Sequence, residues 1–288
     1  MRIGTAKNFV FCPVLLLCIT STAVAQLSFR VLDRDVIESR LKDFSRKNDQ
    51  REAIMKQLFL QSGCKPDQLA EQPVKRRVPP NVMCVVPGES QDVILVGAHY
   101  DHADVGDGVV DNWSGASLLP SLLYSLGTAT PHHTFAFVGF SGEEQGMLGS
   151  DYYAKHLTAE QRSHIVAMVN LDTLGLGPTE VWVTHSDDDL IRSIGLVANA
   201  MKVPVSAMNV DQVGTTDSES FAKFKIPRIT VHSVTQETWR ILHSDKDKLS
   251  AIRMDDYYGS YRLLAGYLAY LDGHLGTPAP NAAVNNKP

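Results

Sequence analysis

The run Val93-Ile94-Leu95-Val96-Gly97-Ala98, followed at once by His99-Tyr100-Asp101, decides the fold. Six apolar residues without alternation describe a strand buried on both faces, as in a parallel sheet covered by helices. Similar runs recur at residues 81–86, 134–140, 165–171, 181–184 and 226–232. Helical periodicity separates several of them. Leu118, Leu119, Leu122, Leu123 and Leu126 share a face, with Pro120 placed to kink that helix. Ser186 reads as the N-cap of a helix that turns Leu190, Ile194 and Val197 inward, and a last helix is expected over residues 255–271. The fold class expected is α/β: a mostly parallel mixed sheet covered by helices on both faces, an α/β/α sandwich.

Upstream, Val36, Ile37, Leu41 and Phe44 fall on one helical face, as do Ile54, Met55, Leu58 and Phe59, so residues 26–80 read as a helical N-terminal part. Asp49 with Glu52 resembles a capping box, and Gly63 supplies a stop. The first 25 of the 288 residues carry a different signal. Arg2 and Lys7 precede an apolar run over residues 9–19, too short to span a bilayer, and Ala23-Val24-Ala25 has the small side chains of a signal-peptide cleavage site. Residues 1–25 are therefore expected to be an export signal, 26–275 one catalytic domain, and the Pro/Ala/Asn-rich stretch 276–288 a disordered tail. That places the protein outside the cytoplasm, secreted or periplasmic, without stable membrane association. Cys64 and Cys84 remain after export, either paired or as two buried thiols. The formal charge of −5 becomes more negative without Arg2 and Lys7, and no long basic run remains for a nucleic-acid partner. Nothing in the sequence specifies an oligomeric state.

In open α/β sheets, functional groups gather beyond the carboxyl ends of the strands. Past the 93–98 run stand His99 and Asp101, then Asp111-Asn112; past 134–140, Glu143-Glu144; past 165–171, Asp172; and in the loop after 226–232, His243. Taken singly, each has an ordinary reading as a helix cap, a turn former or a solvated helix start. Together, Asp101 aside, they place two imidazoles and four carboxylates along one sheet edge. Imidazole nitrogen and carboxylate oxygen are zinc donors. Two ions at about 3.5–4 Å need a bridging carboxylate and a bridging water. Three carboxylate ligands and one hydroxide neutralise two dications, which leaves the fourth carboxylate free to carry protons. No HExxH helix is present, which excludes a thermolysin-type site. Of the ten histidines, the other eight, His232 among them, read as structural or surface residues.

From about Asn81 to Leu271 the chain resembles the co-catalytic two-zinc exopeptidases, which include secreted bacterial leucine-type aminopeptidases. The motifs are Val96-Gly97-Ala98-His99-Tyr100-Asp101, Asp111-Asn112-Trp113-Ser114-Gly115, Gly142-Glu143-Glu144-Gln145-Gly146, Asn170-Leu171-Asp172 and His243-Ser244-Asp245-Lys246-Asp247. The resemblance implies two zinc ions per chain, acting on peptide substrates from the N-terminus. It assigns His99 and Asp172 to one ion, Glu144 and His243 to the other, and Asp111 to both. Glu143 would be the general base and Asp101 the acid that orients His99. The Asp111–Asn112 peptide would be cis. Relatives include glutaminyl cyclases, which work with one zinc, carboxypeptidases, and non-catalytic receptor ectodomains. One segment departs: Thr216-Asp217-Ser218 stands where the pattern reads Ser-Asp-His, which leaves the specificity pocket open. Trp113 and Trp239 are assigned to the core rather than to that pocket.

Overall fold

A computed structural model describes residue 1 and residues 29–276. The expected export signal, apart from residue 1, and almost all of the expected tail lie outside them. Among the described residues, eight strands form one sheet: β1 (Leu69–Gln72), β2 (Asn81–Val86), β3 (Val93–His99), β4 (Thr134–Phe140), β5 (Ile165–Leu171), β6 (Thr179–Val181), β7 (Val205–Ala207) and β8 (Arg228–His232). Their order is β1-β2-β4-β3-β5-β8-β6-β7. The centre is parallel, with β3 between β4 and β5 and β8 beside β5. Antiparallel pairs lie toward the edges, at β1–β2, β2–β4 and β6–β8.

Side chains that alternate along the central strands reach two separate cores, so the helices do cover both faces. From β3 and β4, Ile94, Val96, Ala98, Phe135 and Phe137 join a large core with helices Arg34–Lys42, Asn48–Gln61, Leu118–Ser125, Asp188–Met201 and Met254–His274. Leu95, Ala136, Val138 and Phe140 face the other way, onto Ala154 and Phe221. Cys64, just past the second helix, is disulfide-bonded to Cys84 of β2, which resolves the open choice in favour of pairing.

Several local expectations shift. The N-terminal part holds an edge strand, β1, besides its two helices. Asp49 and Glu52 form no capping box: the helix begins at Asn48 after Lys47, Asp49 accepts the Gln50 N–H, and Glu52 pairs with Lys56. Pro120 breaks its helix one turn upstream, where Ser117 keeps helical backbone angles, as at a kink. Lacking an N–H to give to Ala116, it divides the run at Ser117 into Ser114–Ala116 and Leu118–Ser125. The 181–184 strand is instead β6 followed by a 3₁₀ turn, Val183–His185. Asp187, not Ser186, precedes the next helix, because the Ser186 hydroxyl is donated to the Trp182 carbonyl.

Candidate metal centre and active site

The carboxyl ends of β3, β4 and β5 deliver their polar residues to one place. His99 is the last residue of β3 and is buried. Its Nε2 lies 3.2 Å from Asp111 Oδ1, 3.8 Å from Asp172 Oδ1 and 4.0 Å from Glu143 Oε2. The other Asp111 oxygen, Oδ2, is 3.3 Å from His243 Nε2, which is also 2.9 Å from Glu144 Oε2. Asp111 therefore stands between the two imidazoles and turns one oxygen to each.

Local backbone features hold these groups in place. The Asp111–Asn112 peptide is cis. The Asn112 side chain gives its N–H to the Leu171 carbonyl and accepts from the N–H groups of Thr173 and Gly115, which ties the Asp111 turn to the end of β5. Asp172 receives the hydroxyls of Thr173 and Thr216, one on each oxygen. The Asp101 carboxylate accepts the backbone N–H groups of Glu143 and Glu144 and so seats their turn against β3. For His99 Nδ1, the nearer Asp101 acceptor is the main-chain oxygen at 3.2 Å, with Oδ1 at 3.7 Å. Asp101 thus reaches His99 mainly through its backbone and Glu143-Glu144 through its side chain.

The electrostatics of the cluster favour positive charge. Burial alone would deprive His99 of a proton, yet Glu143, Asp101, Asp111 and Asp172 hold its pKa well above the ordinary value. Hydrogen bonds to Asp111 and Glu144 raise His243 to about 10. Asp111 is held far below the carboxylate range: burial opposes this, but His243 and His99 outweigh it. Burial pushes Glu143 well above that range, against the pull of His99 and aided by Asp217, Asp172 and Asp111. Glu144 Oε1 is buried and has no hydrogen-bond partner. Among the described residues three donor sets, His99/Asp111/Asp172, Asp111/Glu144/His243 and His99/Glu143/Glu144, each keep their ligand atoms within 4.8 Å of one another. Nitrogen and carboxylate oxygen, one orphaned acceptor and a field that attracts cations fit zinc.

A cavity of about 360 Å³ opens above this floor. Its other wall is apolar, with Trp182, Val210, Val213, Val234, Trp239 and Leu242. Trp113 is fully buried as expected, whereas Trp239 is half-buried and lines the cavity. Its short 3₁₀ turn, Trp239–Ile241, carries it there from the loop after β8. Among the lining residues that escaped the sequence reading are Trp182 and His232. Trp182 follows β6 directly, and His232 is the last residue of β8. His232 occupies the strand-end position that flagged His99 and Asp172, so the same rule would have found it, whereas β6 runs antiparallel to β8 and its carboxyl end gave no such signal for Trp182. His232 Nδ1 accepts the Val234 N–H and Nε2 donates to the Met208 carbonyl; burial lowers its pKa to about 4, so it is neutral. Ser218, where the pattern has histidine, is buried and bonded to Thr230 of β8, while Thr215 lines the cavity. Asp217 beside it is buried, with neither oxygen hydrogen-bonded, and burial lifts it to about 7.

Known proteins resemble this chain in sequence and in fold. The sequence profile described as Peptidase family M28 matches residues 81–267. An aminopeptidase of Pseudomonas aeruginosa is 34% identical over 88 residues, 31% of this chain and 16% of the relative. The chain spans between 16% and 56% of the length of the first curated relatives it matches. Among solved structures, a zinc aminopeptidase from Bacillus subtilis is 21% identical with a TM-score of 0.60, over 66% of this chain and 49% of that one. A glutaminyl cyclase from an Acidobacteriales bacterium reaches a TM-score of 0.71 at 16% identity, over 87% and 98%. At such identities the structures speak to the fold, which they share.

Proposed function

This chain belongs to peptidase family M28, and on that premise we propose that it is an exported, zinc-dependent aminopeptidase that hydrolyses the N-terminal bond of peptides. The observation that carries the reading is Asp111, a buried carboxylate with one oxygen toward His99 and the other toward His243. His99 and Asp172 would hold one zinc ion, Glu144 and His243 a second, and Asp111 both. When bound, zinc supplies Lewis-acid polarisation of the scissile carbonyl and lowers the pKa of water toward about 7.

The chain's own groups do the rest. Glu143 sits at the cavity floor with its proton affinity raised by burial. Its carboxylate takes a proton from the attacking water and gives it to the departing amine nitrogen. Asp101 fixes the turn that carries Glu143. The apolar wall receives the first side chain of the peptide and keeps water from it.

A disulfide at Cys64–Cys84 supports an oxidising compartment, in keeping with an export signal at 1–25. Among the described residues, no helix is long and apolar enough to cross a membrane. All five ligand candidates and Glu143 are present and gathered, which argues against a binding ectodomain, since unpaired acids crowded in a buried site are costly.

Metal analysis of the purified chain and a panel of amino-acid p-nitroanilides, each with a free or a blocked amine, test the proposal. Two zinc ions per chain and cleavage only of the free-amine series are expected. One zinc ion with cyclisation of N-terminal glutamine would replace it with the cyclase reading, and cleavage of peptides only from the free carboxylate end would replace it with a carboxypeptidase.

A further inference from the structure

Arg51, on the helix Asn48–Gln61, is fully buried although it lies outside the matched family segment. All four of its hydrogen bonds go to main-chain carbonyls. Nε donates to Ser45, Nη1 to Tyr100 between His99 and Asp101, and Nη2 to Asp107 and Gly108. Asp247, also buried and four residues past His243, holds the same segment through different groups. Its carboxylate accepts the N–H groups of Val110 and Asp111, at 2.7 and 3.1 Å, and its carbonyl accepts that of Asp107. The segment 107–111 is thus held by its carbonyls from a cation and by its N–H groups from an anion.

We propose that Arg51 and Asp247 are positioning residues, a two-part clamp that fixes the Asp111 carboxylate at the place where two metal ions can share it. The proposal rests on the reading of Asp111 as a shared ligand. Three facts support it. Gly108, at φ +60°, has no room for a side chain: a Cβ there would stand 2.2 Å from the Cβ of His102 and 2.8 Å from Arg51 Nη2. The rigid guanidinium fork places four N–H donors on the carbonyls of Ser45, Tyr100, Asp107 and Gly108, whereas an ammonium has only three, on a single flexible nitrogen. Burial draws Arg51 down to about 10, so it stays charged at neutral pH, and its field falls on Asp247, Asp101, Asp111 and Glu144. It thereby offsets Asp247 and Asp101, which are not among the proposed ligands.

The test compares full-length wild type with Arg51→Lys, which keeps the charge and loses the fork, and with Asp247→Asn, which sets a donor against a backbone N–H. The disulfide-free Cys64→Ala/Cys84→Ala variant controls for loss of stability alone. Zinc affinity by competition with a chelating dye, amide exchange of residues 107–111 in metal-free protein, and kcat and KM are measured. Each clamp variant is expected to keep one tight zinc ion and weaken the second by about 10–100-fold, the usual cost of losing an outer-shell partner. Exchange at 107–111 rises, and kcat falls with KM nearly unchanged. The disulfide-free control keeps wild-type zinc affinity. Wild-type affinity for both ions in Arg51→Lys and Asp247→Asn, or losses matched by the disulfide-free control, would overturn the clamp. If one variant fails to fold, the other decides alone. A wild type that binds a single zinc ion, with exchange still rising in the variants, would instead refute the two-ion reading and leave the clamp's mechanical part standing.

Discussion

The floor and the apolar wall of the cavity are built differently. Residues of the floor, His243 apart, follow β3, β4 and β5, and hydrogen bonds between these ends lock them together, as from Asn112 to Leu171 and from the Glu143 and Glu144 N–H groups to Asp101. The wall comes from loops and 3₁₀ turns after β6, β7 and β8, where Trp182, Val210, Val213 and Trp239 sit. Rigid strands fix the positions that chemistry needs, while loops vary what is admitted. Floor substitutions should therefore act on turnover, and wall substitutions on substrate choice.

The largest effect should come from the floor. Glu143→Gln is expected to keep its zinc and lose about 10²–10⁴ in kcat, as for removal of a well-placed acid–base group. Metal content and single-turnover rates check this, and near-normal turnover would remove Glu143 from the reaction. A wall substitution should look unlike it. Trp239→Ala is expected to raise KM for large apolar first residues by roughly 10-fold, with less effect on small ones, since lost apolar contacts in a pocket are worth about 1–3 kcal/mol. A uniform fall in kcat across the panel would erase the distinction drawn between floor and wall.

Two smaller effects should leave both regions working. The Cys64–Cys84 bond spans 20 residues. Removing it should cost about 3 kcal/mol of stability by the chain-entropy relation, with kcat unchanged, as urea unfolding and assays would show. His232 has a folded pKa of about 4 against an ordinary 6.5. Between these values the unfolded chain binds the proton and the folded one does not. Stability is therefore fully present above about pH 6.5 and is lost as pH falls toward 4. His232→Gln should remove about 1–2 kcal/mol of the stability difference between pH 7 and pH 5. Identical acid sensitivity in wild type and variant would mean that His232 is not held neutral.

The same contrast governs what the sequence disclosed. The parallel core was readable because strands such as 93–98 are apolar throughout, and the floor because His99, Asp111, Glu143, Glu144 and Asp172 follow those strands closely. His243 and Trp239 differ in a telling way. Both lie in the loop after β8, but a motif marked the histidine, whereas nothing local says which way an isolated tryptophan turns. Arg51 was invisible for another reason. A lone arginine among polar helix residues reads as surface, and only tertiary structure places the carbonyls of Tyr100, Asp107 and Gly108 around it. The false capping box at Asp49 shows the converse, since Glu52 found a better partner in Lys56.

The central claim is that one aspartate serves two metal ions. Anomalous diffraction at the zinc edge from crystals grown with zinc tests it most directly. Two peaks about 3.5–4 Å apart, one by His99 and the other by His243 with an oxygen of Asp111 reaching each, are the predicted result. A single peak, or two with Asp111 bound to neither or only one, would contradict it.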